Sequence, residues 1–420
     1  MDQTDYLAEQ EKLRKARKAG RWQGALIMAA IAIFIALIIL AVNIGLKIRN
    51  GTLLSLLNFG KNSDPVITEE VKDKAETLKA VIDTYYYEEV DEEALQNGIY
   101  KGLMDGLGDP YSVYYTKDEY EEMMEGSEGI YYGIGAYLQQ DSETMQIKVV
   151  RPIPGSPAEA VGLLTDDIIV EVNGEDITDQ DINLVVSKIR GEAGTTVNVG
   201  IYRAGEQDIL YFDITRAKVE DVTVEYEMME DDIGYIYLSE FDDVTTGQFI
   251  DAMEDLKEQG MNSLILDLRD NPGGNLDVAV DVADYILPEG LVVYMEDKNG
   301  EREEYKSDAS HHWDKPIVIL TNGNSASAAE IVCGALRDYD RATLVGTKTF
   351  GKGIVQQILP LGDGSGVKVT IARYYTPNGT CIHGDGFEPD VEVEFDVDAY
   401  MNDETDTQLV KAIEILKEKQ

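Results

Sequence analysis

The sequence predicts a multidomain α+β protein with an N-terminal transmembrane helix, a helical segment, a β-rich domain with short helices and an α/β domain. Three observations support this prediction. The chain has 420 residues, of which 44% are apolar, and a chain of this length divides into several cores. Residues 25–46 form an uncharged apolar run. Beyond residue 128, alternating β-type runs are followed by buried strands that alternate with helices.

Changes of composition and periodicity set the predicted domain boundaries. The parts are a basic cytoplasmic segment (residues 1–23), a transmembrane anchor (24–46), a stalk (47–64), a helical region (65–127), the β-rich domain (128–217), the α/β domain (218–400) and a C-terminal helix (401–420). The C-terminal helix is amphipathic, so we expect it to pack against its own chain.

The apolar run at residues 25–46 contains 22 residues, and as a helix it would extend for about 33 Å, enough to cross a bilayer. Six Lys or Arg residues precede it, which favours a cytoplasmic N-terminus and export of the remaining chain. A cleaved signal peptide is the alternative. We favour an uncleaved single-pass anchor because the run exceeds a usual signal-peptide core and no clear cleavage site follows it.

The part of the chain beyond this run is strongly acidic. Residues 51–420 carry 28 basic and 76 acidic side chains, a formal net charge of −48. This charge excludes nucleic acid as an expected partner and opposes tight docking on an anionic membrane surface. It is typical of a soluble domain held near a membrane. The two cysteines, Cys333 and Cys381, are not assigned as a pair.

Apolar residues at helical spacing predict two or three amphipathic helices between residues 66 and 126. The residues that set this spacing are Val71, Ala75, Leu78, Val81, Ile82, Leu95, Ile99 and Leu103. The run from Gly106 to Ser112 interrupts the periodicity and predicts a turn between helices.

Alternating runs predict five strands in the β-rich block, at residues 131–138, 146–151, 167–172, 196–202 and 209–215. The block also contains three short motifs. They are Tyr132–Ala136, Pro154–Ala158 and Asp166–Gly174. Gly133 and Gly135 flank Ile134 and let successive backbone N–H groups converge on a terminal carboxylate, while an adjacent strand edge can pair with an extended peptide. The block resembles a PDZ domain, with the motifs in the circularly shifted order of bacterial protease PDZ domains.

The α/β block begins with strands that alternate with helices. We predict strands at Gly234–Leu238, Ser263–Leu268 and Pro316–Thr321, and helices at Thr246–Gln259 and Asp277–Ile286. The third strand leads directly into a loop that carries Ser327.

Ser327 stands between small residues immediately before a good helix sequence, Ala328–Leu336. A serine in this place lies beside unpaired N–H groups of the helix N-terminus, which can stabilise an oxyanion. The structural alternative is an N-cap serine with Glu330 as its capping-box partner. The local sequence is equally consistent with both interpretations.

Lys352 lies between two glycines, and none of its neighbours Phe350, Gly351, Gly353, Ile354 and Val355 is charged. Burial lowers the pKa of a lysine toward neutrality, so that its amine can accept the proton of a serine hydroxyl. A loop lysine without a catalytic role is the alternative. A third segment, Leu266–Asn275, ends a strand in a Pro-Gly-Gly turn, where the N–H of Gly273 can face an oxyanion opposite that of Ala328.

Together these segments resemble the carboxyl-terminal processing proteases, the tail-specific serine peptidases of family S41. In that family a lysine follows the nucleophile by 25 residues and a glutamine follows the lysine by four, and Lys352 and Gln356 stand at those distances from Ser327. The resemblance implies Ser327 as nucleophile, Lys352 as general base and acid, and Gln356 as the residue that orients the lysine amine. It implies the backbone N–H groups of Gly273 and Ala328 as the oxyanion hole, in a crotonase/ClpP-like α/β core.

The resemblance extends from about residue 65 to residue 400, and Ala329 is a visible departure, since many members have serine there. It implies a serine endopeptidase of the bacterial cell membrane, with its protease domain outside the cytoplasm. Protein or peptide substrates with exposed C-termini would bind the PDZ domain. The resemblance also implies homo-oligomers and a gating residue at the PDZ border, for which Arg190 is the candidate. Neither a cofactor nor a metal is expected.

Other functions fit these residues less well. A Ser-His-Asp triad would need His383, since His311 and His312 lie in a polar segment, but the spacing from Ser327 already supplies a lysine base. No clustered Cys/His spacing supports a metal hydrolase. Acyl-CoA chemistry, which crotonase-like folds also host, is disfavoured in an exported chain. The main alternative is a non-catalytic PDZ scaffold that binds peptides, and the combined serine, lysine and glutamine oppose it.

Overall fold

The computed structural model describes residues 65–308, 310–403 and 405–419. It divides into two compact units, one that contains residues 65–120 with 358–369, and one that contains residues 121–357 with the rest of the C-terminal part. The predicted cytoplasmic segment, anchor and stalk at residues 1–64 lie outside the described residues. None of the helices in the described ranges is long and apolar enough to cross a membrane.

The first unit contains two helices and a short strand. Helix α3 follows them and begins in the first unit but ends in the second. These elements are α1 (Glu69–Tyr85), α2 (Glu92–Asp105), β1 (Val113–Tyr115) and α3 (Lys117–Glu128). The predicted helical region is confirmed, but α1 and α2 bury none of their residues. The predicted turn after α2 leads into β1 and not into a helix, because the Asp109 carboxylate accepts the Tyr111 N–H and the Ser112 hydroxyl. β1 pairs antiparallel with Gly366–Lys368.

The β-rich domain follows in the second unit. Its elements are β2 (Ile130–Gly133), β3 (Ala136–Gln140), β4 (Ile147–Pro152), α4 (Pro157–Val161), β5 (Ile168–Val172), β6 (Glu175–Asp176), α5 (Ile182–Ile189), β7 (Thr196–Tyr202), β8 (Leu210–Thr215) and β9 (Ala217–Glu220). The main sheet has the order β3-β4-β5-β7-β8, with β6 added to β5, while β2 pairs with β9. Strand β3 is therefore at an edge of its sheet.

One predicted strand of this domain, at residues 131–138, is divided into β2 and β3. Gly135 lies between them with a φ of +78°, a conformation that favours glycine. A Cβ atom at Gly135 would lie 2.3 Å from the Cβ of Ser156. The close approach of α4 to this turn therefore requires glycine and interrupts the strand.

The α/β domain is built on a second sheet. Its elements are β10 (Val224–Met228), β11 (Ile233–Leu238), α6 (Thr245–Glu258), β12 (Ser263–Asp267), α7 (Leu276–Ile286), β13 (Gly290–Asp297), β14 (Arg302–Ser307), β15 (Ile317–Thr321), α8 (Ala328–Asp338), β16 (Ala342–Gly346), β17 (Ile354–Pro360), β18 (Gly366–Tyr375), β19 (Val391–Glu392), α9 (Val397–Asp403) and α10 (Thr407–Lys419). The strand order is β10-β11-β12-β15-β16-β19. All neighbours from β11 onward are parallel, and β10 is antiparallel to β11.

Both faces of this central sheet are covered, so β12 and β15 are buried at every position. Helices α6, α7 and α8 pack on one face. Helix α10 packs on the other through Ala412 and Leu416, which confirms that the C-terminal helix packs against its own chain. Arg269, just after β12, forms ion pairs with Asp267 at 2.6 Å and with Asp406 at 2.8 Å, and so ties the start of α10 to the sheet.

Leu416 is fully buried between α10 and the sheet. We expect Leu416→Ala to lower the free energy of unfolding by about 2–5 kcal/mol, because the substitution leaves a cavity. Denaturant unfolding of the full chain in detergent, followed by circular dichroism, measures this loss. Val410→Ala, at an exposed position of the same helix, is the control and should cost less than about 1 kcal/mol. Equal losses would contradict the packing of α10.

Candidate active site

Three loops meet at the carboxyl-terminal edge of the central sheet, where α/β folds place ligands. Ser327 follows β15, Lys352 lies between β16 and β17, and the turn at residues 269–275 follows β12. Backbone hydrogen bonds join the loops directly: the Ala326 N–H donates to the Asn271 carbonyl at 2.9 Å, and the Phe350 N–H donates to the carbonyl of residue 325 at 3.0 Å. The fold therefore brings the predicted nucleophile, base and oxyanion segments together.

The buried carboxylate of Glu330 connects two of these loops. Its side chain is 0% exposed. Oε2 accepts the N–H groups of Ser327 at 2.9 Å and Lys352 at 2.8 Å. Oε1 accepts the Gly351 N–H at 2.8 Å and the Thr349 hydroxyl at 2.6 Å. These charge-assisted hydrogen bonds offset the cost of burying a carboxylate, and they fix the main chain at Ser327 relative to that at Lys352.

A buried tyrosine joins the same two residues from another strand. The Tyr374 hydroxyl lies 2.9 Å from the carbonyl oxygen of Ser327 and 2.8 Å from that of Lys352, and it donates its proton to them. Burial raises the pKa of Tyr374 well above its ordinary value, so the hydroxyl remains a donor. Ser327 and Lys352 thus share one partner for their N–H groups and another for their carbonyl groups.

Ser327 has a φ of +55° and a ψ of −114°, in a region that residues other than glycine rarely occupy. Such strain persists where the surrounding structure enforces it, and it is concentrated at functional sites. The structural alternative is also present in part, because Ser327 directly precedes α8 and its N–H donates to the Glu330 carboxylate. Its backbone, however, is not in the extended region that N-cap residues normally adopt.

Gln356 lies in β17, on the same side of the strand as the buried Ile354. Its Nε2 atom is buried and has no hydrogen-bond partner within the described part of the chain. A buried amide nitrogen without a partner is costly, and such atoms are rare in folded proteins. The glutamine thus offers a donor beside the loop that carries Lys352.

The structure differs from the prediction at Gly273. Its N–H donates to Asn271 Oδ1 at 2.8 Å, and the buried Asn271 side chain is held in turn by the Leu238 carbonyl at 2.7 Å. The N–H of Gly273 is therefore not available to an oxyanion in this conformation, because the asparagine forms a tight local turn. Gly273 does lie beside the serine: a Cβ atom there would be 2.7 Å from Ser327 Cβ and 2.9 Å from the Ala328 nitrogen.

The predicted carboxylate loop of the β-rich domain lines a cavity of about 400 Å³, together with β3 and α5. The carbonyl of Ile134 accepts the Ala158 N–H at 2.7 Å, and that of Gly135 accepts the Ile153 N–H at 2.9 Å. Within the described residues, the N–H groups of Ile134 and Gly135 have no acceptor. The loop therefore keeps backbone donors available beside an open strand edge.

Arg190 follows the last residue of α5 and borders this cavity. Its Nη1 lies 3.2 Å from Glu125 Oε2, and its guanidinium lies 5.6 Å from the centre of the Tyr131 ring. A Cβ atom at Gly133 would be 3.8 Å from Arg190 Cγ. The arginine is thus packed against the carboxylate loop and is held by a carboxylate of α3.

No histidine side chain of the described residues joins the hydrogen-bond network around Glu330, although the His383 main chain packs against Gly353, next to Lys352. His383 is exposed and makes no hydrogen bond to Ser327 in the described structure. His311 stacks on Tyr285 at a centroid distance of 4.8 Å. Among the described residues, no group of three or more His, Cys, Asp or Glu side chains has the arrangement of a metal site. Cys333 and Cys381 are free thiols.

Three residues of the site were not assigned roles from the sequence. Glu330 was recognised only as a capping-box partner, and its bonds to the Lys352 loop had no local signal. Asn271 lies in the Pro-Gly-Gly turn, where Asn is a common turn residue, and this signal was available. Tyr374 had none, because its two partners are 47 and 22 residues away along the chain.

Glu330→Gln tests whether the buried carboxylate holds the loops. The variant keeps the shape but replaces one acceptor oxygen with a donor that faces backbone N–H groups, so we expect the free energy of unfolding to fall by about 2–4 kcal/mol. Thermal unfolding of the full chain measures the change. Glu388→Gln, at a side chain that is 68% exposed, is the control and should change stability by less than about 1 kcal/mol. A neutral Glu330→Gln would contradict the role given to this carboxylate.

Comparison with known proteins gives matches over most of the chain. A family model described as peptidase family S41 matches residues 232–393, a PDZ domain model matches residues 148–203, and a model of the N-terminal domain of the activating protease CtpB matches residues 54–119. A similar solved structure is the photosystem II D1 C-terminal processing protease, with 30% sequence identity, a TM-score of 0.45, and coverage of 76% of this chain and 86% of that one.

Two curated relatives come from Bacillus subtilis. The carboxy-terminal processing protease CtpB is 36% identical over 330 residues, which cover 78% of this chain and 68% of that protein. The carboxy-terminal processing protease CtpA is 36% identical over 323 residues, which cover 77% of this chain and 69% of that protein. This chain is therefore a serine-type peptidase with a PDZ domain, and it belongs to the carboxy-terminal processing proteases of peptidase family S41.

Proposed function

We propose that this protein is a membrane-anchored endopeptidase of the bacterial cell surface, which captures exposed C-terminal segments of proteins and cleaves them with Ser327 and Lys352. The observation that carries the proposal is the shared network of Glu330 and Tyr374. One carboxylate binds the N–H groups of Ser327 and Lys352, and one hydroxyl binds their carbonyl oxygens. A nucleophile and a base on separate loops need such support to remain in register.

In the proposed reaction, the Ser327 hydroxyl attacks the carbonyl carbon of the scissile peptide bond while the neutral amine of Lys352 takes its proton. The resulting lysine ammonium then protonates the leaving amine, and the C–N bond breaks to give an acyl-enzyme. Lys352 next removes a proton from water, which attacks the ester carbonyl. The C–O bond to Ser327 then breaks as the lysine ammonium returns the proton to the serine oxygen, and the second product is released. Gln356 orients the lysine amine by accepting one of its N–H groups, and its position in β17, just after the Lys352 loop, supports this role.

The oxyanion of the tetrahedral intermediate needs backbone donors. Ala328 is the first residue of α8, so its N–H has no acceptor within the helix, and we assign it the first position. Gly273 is the second donor in our proposal. Because its N–H is bound to Asn271 Oδ1 in this structure, the peptide unit before Gly273 must turn toward Ser327 when substrate binds.

Capture of the substrate is assigned to the loop Gly133–Ile134–Gly135 and the edge of β3. The N–H groups of Ile134 and Gly135 bind the terminal carboxylate, and the adjoining residues pair with β3 as an added strand. Arg190 is the proposed gating residue. Its contacts support this assignment, since a substrate carboxylate at the loop would compete with Glu125 for the same guanidinium.

Two further parts of the proposal concern the rest of the chain. The apolar run at residues 24–46, with its basic N-terminal flank, is the proposed single-pass anchor, and it holds the protease domain outside the cytoplasm. Homo-oligomer formation is supported by α1 and α2, whose apolar side chains are largely exposed. Exposed apolar faces of this kind mark interaction surfaces. Leu78, Val81, Ile99 and Leu103 are examples.

Cleavage of an unfolded protein tests the catalytic assignment. We expect Ser327→Ala and Lys352→Ala each to reduce the rate by at least about 10³-fold, as removal of a nucleophile or base does in other serine peptidases. His383→Ala should retain activity. Mass spectrometry of the products from the full chain in detergent gives the readout. Cleavage by Ser327→Ala at the normal rate would contradict the site, and absence of cleavage by the wild type would favour a peptide-binding scaffold.

A second experiment tests carboxylate capture. We expect amidation of the substrate's C-terminus to slow cleavage by about tenfold or more, because the loop's N–H groups lose an anionic partner. The rate is compared for one peptide with a free and an amidated terminus, at concentrations below saturation. Acetylation of the N-terminus is the matched control. Equal cleavage rates for the free acid and the amide would show that the PDZ domain does not capture the substrate through its terminal carboxylate.

A further inference from the structure

The cavity at the carboxylate loop has an unusual charge. Besides backbone and apolar groups, it is lined by four carboxylates, from Glu122, Glu125, Asp221 and Glu240. Arg190 is the basic residue of the lining, and it is already paired with Glu125. In the part of the chain that the structure describes, the other three carboxylates of the lining form no ion pair with a lysine or arginine.

Two of these carboxylates, Asp221 and Glu240, lie next to the edge strand β3. Asp221 accepts the hydroxyl of Tyr137 on β3 and the Val222 N–H at 2.8 Å. Neither Asp221 nor Glu240 forms an ion pair with a Lys or Arg residue in the described ranges of the chain. Within the described residues, the cavity lining therefore supplies neither carboxylate with an ion-pair partner.

A third carboxylate lies directly behind this pair. Asp242 is 5% exposed, and its Oδ2 atom has no hydrogen-bond partner within the described residues. This oxygen lies 3.4 Å from the position of a Cβ atom at Gly129, and Gly129 lines the cavity. Asp242 also shares a side-chain hydrogen bond with Glu240, which requires a proton on one of the two carboxyl groups. A pair of buried carboxyl groups that shares a proton lacks a cationic partner.

Titration behaviour agrees with this geometry. Burial, and then the negative charge of Glu240, raise the pKa of Asp242 to about 7. Burial, and then the charge of Asp221, raise the pKa of Glu240. A raised pKa is expected for a carboxylate that has no cation nearby. Groups with such shifted pKa values are concentrated at binding and catalytic sites.

We propose that this cavity binds the side chain of a lysine or arginine in the C-terminal segment of the substrate, and that its cation pairs with Glu240 and Asp221. The inference rests on the proposed capture of C-terminal segments and names their chemistry. A basic side chain suits the cavity because its apolar stem can lie along the loop while its charged end reaches the carboxylates. A metal ion suits it less, since the described carboxylates do not have the arrangement of a metal site.

The position of the basic residue follows from the alternation of side chains in β3. Ala136 and Leu138 pack on the domain core, so Tyr137 between them projects to the opposite face, where its hydroxyl meets Asp221. A peptide paired with β3 alternates in the same way. Every second side chain of the peptide should therefore lie on the same face as Tyr137, and we expect the basic side chains at these positions. The side chains at the positions between them should be apolar.

Binding of matched peptides tests the proposal, and the full chain carries Ser327→Ala in every measurement so that the peptides are not cleaved. The fluorescent peptides end in an apolar residue and differ at one position, which is Lys in one peptide of a pair and Gln in the other. One pair is made for each of the last few positions, and fluorescence anisotropy gives each Kd. We expect Lys to bind about tenfold more tightly than Gln at alternate positions, as for a partly buried ion pair. Glu240→Gln and Asp221→Asn should each reduce this preference to about twofold or less.

The controls separate the possible failures. Glu206→Gln removes one negative charge, as the other two substitutions do, but at an exposed position of the same domain outside the cavity lining. This variant should still bind the Lys peptide more tightly than the Gln peptide. The Kd of the Gln peptide should be unchanged in Glu206→Gln, and thermal unfolding of all three variants shows whether the domain remains folded. Equal binding of Lys and Gln peptides at every position overturns this proposal but leaves carboxylate capture standing. If amidation does not weaken either peptide, carboxylate capture itself is wrong, and this proposal fails with it.

Discussion

The buried carboxylate of Glu330 is the interaction on which the rest of the site depends. It stands in the first turn of α8, where the helix dipole and unpaired N–H groups favour a negative charge. There it accepts hydrogen bonds from Ser327 and from three residues of the Lys352 loop. Because one rigid group holds both loops, movement of α8 carries the serine and lysine main chains together. The strained backbone of Ser327 is stable for the same reason.

The contacts also connect the peptide groove with the serine. Tyr137 on the groove edge binds Asp221, and Glu240 lines the same cavity. Between Glu240 and Asp242 lies Phe241, whose N–H donates to the Gly273 carbonyl at 2.9 Å and whose carbonyl accepts the Asn275 N–H at 2.7 Å. The turn that packs on Ser327 is thus held by the segment that borders the groove. Glu240 and Phe241 therefore link the lining of the cavity to the turn beside Ser327 along one short stretch of chain.

Much of the fold was predictable because its strands and helices have clear periodicity. Strand β7 has the predicted bounds Thr196–Tyr202, and α7 begins one residue earlier than predicted. The pair β13 and β14 was missed because Arg302–Ser307 carries mostly charged residues, although β13 is the adjacent strand in the chain. The division of the 131–138 strand was missed for a different reason, since the close approach of Ser156 to Gly135 is a tertiary contact.

The candidate site could also be predicted only in part from the sequence. Fixed spacing identified Ser327, Lys352 and Gln356 as one group, and the fold places the first two in a single hydrogen-bonded network. Spacing could not indicate that Glu330 and Tyr374 form that network, because hydrogen bonds between distant segments leave no local pattern. At Gly273 the sequence could not define the direction of the N–H group. The turn brings this residue to the serine, but the Asn271 side chain takes its N–H, and side-chain competition for backbone groups depends on the final geometry.

The packing of α10 has a consequence for the timing of assembly. The loops that carry Ser327 and Lys352 precede α10 in the chain, yet the sheet that supports them exposes one apolar face until Ala412 and Leu416 cover it and Asp406 pairs with Arg269. A nascent chain therefore contains the serine and the lysine well before it contains a complete core. Proteolytic competence arrives late in the synthesis of the molecule, after its other domains have had time to fold.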